Sequence, residues 1–437
     1  MINEETVVVD DKLELIDALQ QLGVAYHFEE EIKHALDSIF SKLDGICMEM
    51  KDNAYAIALV FRLLRGHGFR VSQDIFDQFK DEKGSFKSNL SNRIKSLLNL
   101  YEASYLVVDG EDTLIEAQNF TIQHLNNFLS NSSHDSHKLR DYVANALEQP
   151  LEWRVERLHT RWFIDAYEKE EKMRPLLLEF AKLDFNVVQN TYKRELKEVS
   201  RWWSNLGLWE KLPFSRDRLA ENYLWSIGCA FEPKHSTFRL AQTKANCLIT
   251  AIDDVYDVYG SLDELELFTK AVDSPDVTQE DLNLFQDYPE IVRWSSMLLR
   301  LYNDLGTSKP EHQRGDVAKS IHCCMHHEGI TEAAACKRIK ELIYDCWKKL
   351  NGARRVDSAF NKNFTDIAMN VPRTARCFYI HGDGTIWDLT ISPPLSPDVL
   401  VRLRLTSTRR CETHLVSPSS RSWLSETHLT LPAGNWL

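Results

Sequence analysis

No run of about 18 uncharged apolar residues occurs in the 437-residue chain, so nothing in it reads as a membrane span. The opening, MINEETVVVDDKLELIDAL, has neither a basic segment ahead of an apolar core nor an Arg/Ser-rich amphipathic leader, and the chain as written carries no visible address. Basic charge is in deficit. A formal net charge of −13 argues against a nucleic-acid partner, because a phosphate backbone demands a basic face. No CxxC spacing is found among the nine cysteines, and only Cys323 and Cys324 adjoin. That usage points to buried free thiols in a reduced compartment rather than a disulfide framework or a zinc site. Sustained apolar/polar alternation is missing from the first two thirds, which removes the signal for a sheet.

What is present is helical periodicity. With 43% hydrophobic and 27% charged residues the composition is that of a globular protein long enough for two domains. LELIDALQQLGV sets Leu13, Ile16, Leu19 and Leu22 on one face and Gly23 stops it. FEEEIKHALDSIF, AYAIALVFRLLRGHG, LSNRIKSLLNLYEASYL and TLIEAQNFTIQHLNNFL repeat the pattern between short polar or Gly-containing turns. Repeated helix-turn-helix units with aromatic-rich faces predict an all-α bundle or α/α barrel. A charged run and Pro175 then lead into a long new helix, which puts a domain boundary near residue 170, giving 1–170 and 171–384. After Gly384 helical periodicity and lysine both disappear and Ser, Thr, Pro, Arg and Leu dominate, so 385–437 reads as an irregular, disordered tail.

Two stretches carry chemistry. In KANCLITAIDDVYDVYG, Asp253 and Asp257 stand four apart on one helical face, a pair able to bind a divalent metal through oxygen. Alone, such a pair reads more readily as a solvated acidic helix end. In RLYNDLGTSKPEHQRGDVAKS, Asn303, Thr307 and Glu311 recur at i, i+4 and i+8, with Pro310 an oddity just before the last. Arg300, Arg314 and Lys319 surround them, and FSRDRLAENYLWSIG supplies Arg216, Arg218 and Trp225 upstream. Two oxygen-rich faces with cations nearby suit a polyanion bridged by metal, most plainly a diphosphate. A helical phosphohydrolase would instead need His-Asp ligand pairs, and His326 and His327 lack a matching aspartate, so they read as surface residues.

RDR, DDVYD and NDLGTSKPE, in that order, resemble the RxR, DDxxD and NSE/DTE motifs of plant class I terpene synthases. LIDALQQLGVAYHFEEEI, FRLLRGHGFRVSQDIFDQFKDEKGSFK, LLNLYEASYLVVDGEDTLIEA and WRVERLHTRWFIDAYE are similar to that family's N-terminal helical domain, so the resemblance runs to about Gly384. It implies two helical domains: an N-terminal α/α-barrel-like domain and a class I metal-binding bundle. It implies magnesium, three ions with manganese as the alternative, on Asp253, Asp257, Asn303, Thr307 and Glu311, with Asp254 in support. It makes Arg216, Arg218, Arg300 and Lys319 the diphosphate cations, with Asp253, Asp257 and Asn303 also at the substrate. Trp225, with Tyr379, would be a cation-π partner for an allylic carbocation. DLGTS and RGDVAKSI look most like the angiosperm monoterpene-synthase subgroup, which implies geranyl diphosphate ahead of dimethylallyl or farnesyl diphosphate. The resemblance also implies a monomer in the plastid, or in the cytoplasm if the chain is made as written.

The departures matter as much. Only 50 positions separate Asp253 from Asn303, and by resemblance about 90 residues are missing near 273–278, enough for several average helices. The lost part would be one wall of the cavity, including the kinked helix that helps trigger ionisation, which leaves the bundle incomplete. The tandem-arginine segment and the C-terminal lid also lack counterparts. The sequence thus predicts Asp253 and Asp257 facing Asn303, Thr307 and Glu311 across a cleft, in either a terpene synthase or an inactive remnant that still binds metal and diphosphate.

Overall fold

The computed structural model describes residues 9–131, 137–256, 289–314, 319–354 and 360–380. Among them the regular elements are helices, and one isolated bridge joins Lys80 to Phe86. The first helices are α1 (Val9–Gln21), α2 (Glu29–Ser41), α3 (Leu43–Glu49), α4 (Ala54–Gly66), α5 (Ile94–Ser104), α6 (Asp112–Ser130), α7 (His137–Glu148) and α8 (Glu156–Tyr167). No described helix is long and apolar enough to cross a membrane.

The apolar stripe of α1 is buried as its spacing predicts: Leu13, Ile16 and Leu22 are fully covered and Leu19 nearly so. Each such side chain contributes roughly 1.5–3 kcal/mol on burial. The stripe packs on α4, whose Ile57, Leu59, Phe61 and Leu63 are buried on every side, so α4 is the central helix of this half. Asn53 caps α4 by accepting the Ala56 N–H at 3.2 Å. Gly23 is required where α1 ends: it has φ +68°, and a Cβ there would meet the Thr160 hydroxyl at 2.5 Å.

α9 (Pro175–Leu206) starts with proline in its first turn, where no helical N–H is lost, and ends at Gly207 in the left-handed conformation. Its Leu178 and Ala181 join the N-terminal core, while Val188, Tyr192, Leu196 and Val199 join a second cluster. That cluster is shared with α11 (Leu219–Cys229) and α12 (Ser236–Asp254), which follow the short α10 (Leu208–Lys211). The remaining helices are α13 (Glu290–Arg314), α14 (Ser320–Glu328), α15 (Glu332–Ala353) and α16 (Lys362–Tyr379). α13 continues through Pro310. It packs on α15 and α16, and α16 packs in turn on α11. The last crossing is tight, because a Cβ on Gly228 would sit 2.5 Å from the Thr374 hydroxyl.

Polar contacts tie the two halves together. Glu152 accepts from Arg373 at 2.7 Å and pairs with Arg354 at 3.0 Å. Asn351 donates to the Tyr105 and Val107 carbonyls, and Trp153 stacks on Trp347 with centroids 5.4 Å apart. The eight cysteines within the described residues are free thiols, and Cys229, Cys247 and Cys346 are buried.

Candidate diphosphate and metal site

The two motif stretches fall on α12 and α13, which flank the crossed pair α11–α16: α12 packs on α11, α11 on α16, and α16 on α13. At the end of α12, Asp253 is exposed and Asp254 is buried. The buried carboxylate is fully engaged by the segment leading into α11. It accepts from Arg216 Nε at 2.6 Å, from the Arg216 backbone N–H at 2.8 Å and from the Ser215 hydroxyl at 3.2 Å, and Arg216 Nη2 completes the pair. Charge-assisted bonds of this kind outrank neutral ones. Asp254, expected in support of the metal ligands, thus has its oxygens on Arg216 and Ser215 directly behind the exposed Asp253.

Arg218 is half-buried immediately before α11. Further along α11, Trp225 lies with its ring 5.1 Å from Phe378 and 6.2 Å from Tyr379, both on α16, and it also joins the core cluster of α13, α15 and α16. Burial pushes the nearby Cys229 thiol up to about 12 and the Tyr302 phenol on α13 also to about 12, so both are neutral around pH 7.

On α13, Thr307 is buried and its hydroxyl donates to the Asn303 carbonyl at 2.9 Å, a bond that uses its proton and leaves oxygen lone pairs. Asn303 is half-buried one turn earlier. Between these positions the structure reveals a residue that the motif spacing passed over. Asp304, 3% exposed, pairs with Arg300 Nε at 2.9 Å and accepts the Ser320 N–H at 3.1 Å at the start of α14. Lys319 sits just before that helix, its N–H directed to His322 Nδ1 at 3.4 Å. The only sequence signal for Asp304 was its place directly after Asn303. Asp257 lies outside the described residues, and Glu311 and Arg314 lie on α13 in a stretch whose side chains are not described. His326 and His327, on α14, are exposed as expected.

Asp253, Asn303 and Thr307 offer only oxygen donors, which suits a hard divalent cation such as magnesium. Among the described residues no three acidic, histidine or cysteine side chains converge as a complete metal centre. The donor chemistry fits the ion.

Residues 1–147 match the family described as "Terpene synthase, N-terminal domain". Residues 204–277 and 273–349 match "Terpene synthase family, metal binding domain" in two pieces that meet at 273–277. Monoterpene synthase 8, chloroplastic, of Hedychium coronarium is 44% identical over 475 positions, covering 86% of this chain and 80% of the relative. The (-)-alpha-terpineol synthase of Vitis vinifera is 42% identical, covering 86% and 79%. Because 86% of 437 residues is about 376, about 100 of the 475 aligned positions have no counterpart in this chain. Isoprene synthase from grey poplar, solved in complex with three Mg2+ ions and dimethylallyl-S-thiolodiphosphate, is similar with a TM-score of 0.81 at 35% identity, covering 93% of each chain. Limonene synthase with 2-fluorolinalyl diphosphate is similar with a TM-score of 0.83 at 34% identity, covering 91% of each.

Proposed function

The chain belongs to the terpene synthase family and is monoterpene-synthase-like, and from there we propose that it binds an allylic prenyl diphosphate, geranyl diphosphate first, with magnesium. The observation that carries this reading is the pair of half-open ion pairs flanking α11–α16: Arg216 on buried Asp254 and Arg300 on buried Asp304, beside the oxygen donors Asp253, Asn303 and Thr307. Asp257 and Glu311 complete the proposed ligand set by their spacing.

Magnesium, when bound, would supply Lewis-acid stabilisation of the departing diphosphate. Arg216, Arg218, Arg300 and Lys319 would take up the charge that builds on the diphosphate oxygens as the allylic carbon–oxygen bond breaks and its electron pair leaves with the diphosphate. Asp254 would keep Arg216 in position. Trp225 would present a ring face to the carbocation, with Tyr379 beside it. Productive cyclisation further requires that water be kept from the cation until a proton is lost. We take the plastid as the compartment, a monomer as the working state, and a division into helical domains near residue 170.

A second reading is favoured by one observation. The metal-binding match breaks into two pieces at 273–277, and about 100 aligned positions of a relative have no counterpart. A wall lost there would leave an ionising site without a sealed pocket, a remnant that binds metal and diphosphate but releases little cyclic product. The two readings separate on incubation with geranyl diphosphate and magnesium, followed by gas chromatography of headspace and extract. We expect mostly acyclic alcohol from water capture. A clean cyclic monoterpene, even well below the roughly 10 per second median of enzymes, would show that the pocket is intact and overturn the remnant.

A further inference from the structure

We propose that Asp304 is a positioning residue that assembles two of the site's cations, Arg300 and Lys319, into one preformed frame for the diphosphate. This rests on the reading of the site given above. Asp304 follows Asn303 on α13 yet is nearly fully buried, so it is not a surface carboxylate with a loosely held partner. Its two oxygens go to two different segments. Oδ1 holds the guanidinium of Arg300 one turn earlier on the same helix, whereas Oδ2 accepts the backbone N–H of Ser320 at the start of α14.

The second bond matters because the first N–H groups of a helix have no partner within it. An anion placed there also meets the positive end of the helix dipole. Asp304 thereby docks the start of α14, and with it the adjacent Lys319, onto the helix that carries Asn303 and Thr307. The Arg300 side chain stays 60% exposed with its Nε 2.9 Å from Oδ1, an ion pair without hydrogen-bond geometry, so the buried charge keeps the cation near this end of α13 and leaves it accessible. α12 carries a related device, in which the arginine is hydrogen-bonded as well as paired. Asp254, directly after Asp253, is buried, grips Arg216 and accepts a backbone N–H from the neighbouring segment. Two buried aspartates in equivalent places, each directly after a ligand position and each tied to an arginine and to a main-chain N–H, make an accidental arrangement on α13 a poor account.

The two functions of Asp304 separate by substitution. Asp304→Asn keeps an acceptor for Ser320 but loses the charge that holds Arg300, and Asp304→Leu loses both. Hydrogen exchange followed by mass spectrometry on the peptide containing Ser320 reads the docking directly, since that amide has no helical partner. Protection should persist in Asp304→Asn and vanish in Asp304→Leu. Calorimetric titration of the full chain with inorganic diphosphate in magnesium reads the cation frame without any turnover, and Asp304→Asn should weaken binding about 10-fold or more, the usual cost of removing an outer-shell partner. In an Arg300→Gln background, where the exposed side chain can be cut without unfolding, the Asp304→Asn effect should shrink to less than 2-fold, because coupled residues are non-additive. An undiminished effect in that background, or parental affinity in Asp304→Asn, overturns the proposal while leaving the site reading in place. Failure of the parent chain to bind diphosphate with magnesium overturns both.

Discussion

Two ion pairs within the N-terminal core are closed, and the two beside the motifs are half-open. Arg65 pairs with Glu111, and their side chains are 11% and 12% exposed; the same guanidinium also donates to the Val71 and Leu106 carbonyls. Arg62 and Asp17 form a second closed pair, at 2.6 Å. Beside the motifs the aspartates are as deeply covered, but Arg216 and Arg300 are 45% and 60% exposed. A closed pair has every charge satisfied within the fold and serves as scaffold. A half-open pair fixes a cation and leaves it reachable, which is what a binding site for a polyanion requires.

The largest effect that would sharpen this contrast comes from opening a closed pair. Arg65→Met strands the Glu111 carboxylate and two carbonyls in the N-terminal core, and urea titration should show a loss of about 3–5 kcal/mol. A loss under 1 kcal/mol would mean that the closed pairs are not scaffold.

Acid should strike the same half. Burial pushes His67 down to about 4 from an ordinary value of 6.5. Its Nδ1–H donates to the Leu63 carbonyl and its Nε2 accepts from Gln20, a pattern that only the neutral ring can make. Between pH 6.5 and 4 the unfolded chain takes up the proton and the folded chain does not, so stability falls as pH falls, by about 3 kcal/mol across that window. His67→Gln should flatten this part of a melting-temperature profile, and an unaltered slope would exclude His67 as its source.

Binding should raise stability through the half-open side. Magnesium with diphosphate at about 100 times its dissociation constant adds about 2.7 kcal/mol by mass action. Asp253→Asn combined with Asp257→Asn should abolish that rise, and an unchanged shift would show that these carboxylates are not ligands.

Gly228→Ala tests the floor between the motif helices. The added methyl meets Thr374 on α16 and should cost about 1–3 kcal/mol by overpacking. Intact stability in thermal melts would mean that α11 and α16 separate without penalty.

The smallest stability change should come from Arg216→Gln. The guanidinium is half exposed, and buried Asp254, though left without its cation, keeps the Ser215 hydroxyl and a backbone N–H, so the loss should be about 1 kcal/mol. Diphosphate binding measured by calorimetry should nevertheless fall at least about 10-fold. A large stability loss with unchanged binding would reverse the distinction between the two kinds of pair.

Local periodicity by itself determined the helical class, the buried face of α1 through Leu13, Ile16, Leu19 and Leu22, and the spacing that singled out Asp253, Asn303 and Thr307, because each rests on residues three or four apart on one helix. Adjacent aspartates look alike in a sequence. Which of Asp253 and Asp254 is exposed, and that Asp304 is buried beside Asn303, depend on partners brought from elsewhere. Arg216 lies 38 positions from Asp254, Ser320 lies 16 from Asp304, and Arg373 reaches Glu152 across 221. Only the tertiary structure decided these, since a carboxylate tolerates burial only where a cation and hydrogen-bond donors meet it, and here most of those donors come from segments distant in sequence that packing places beside it.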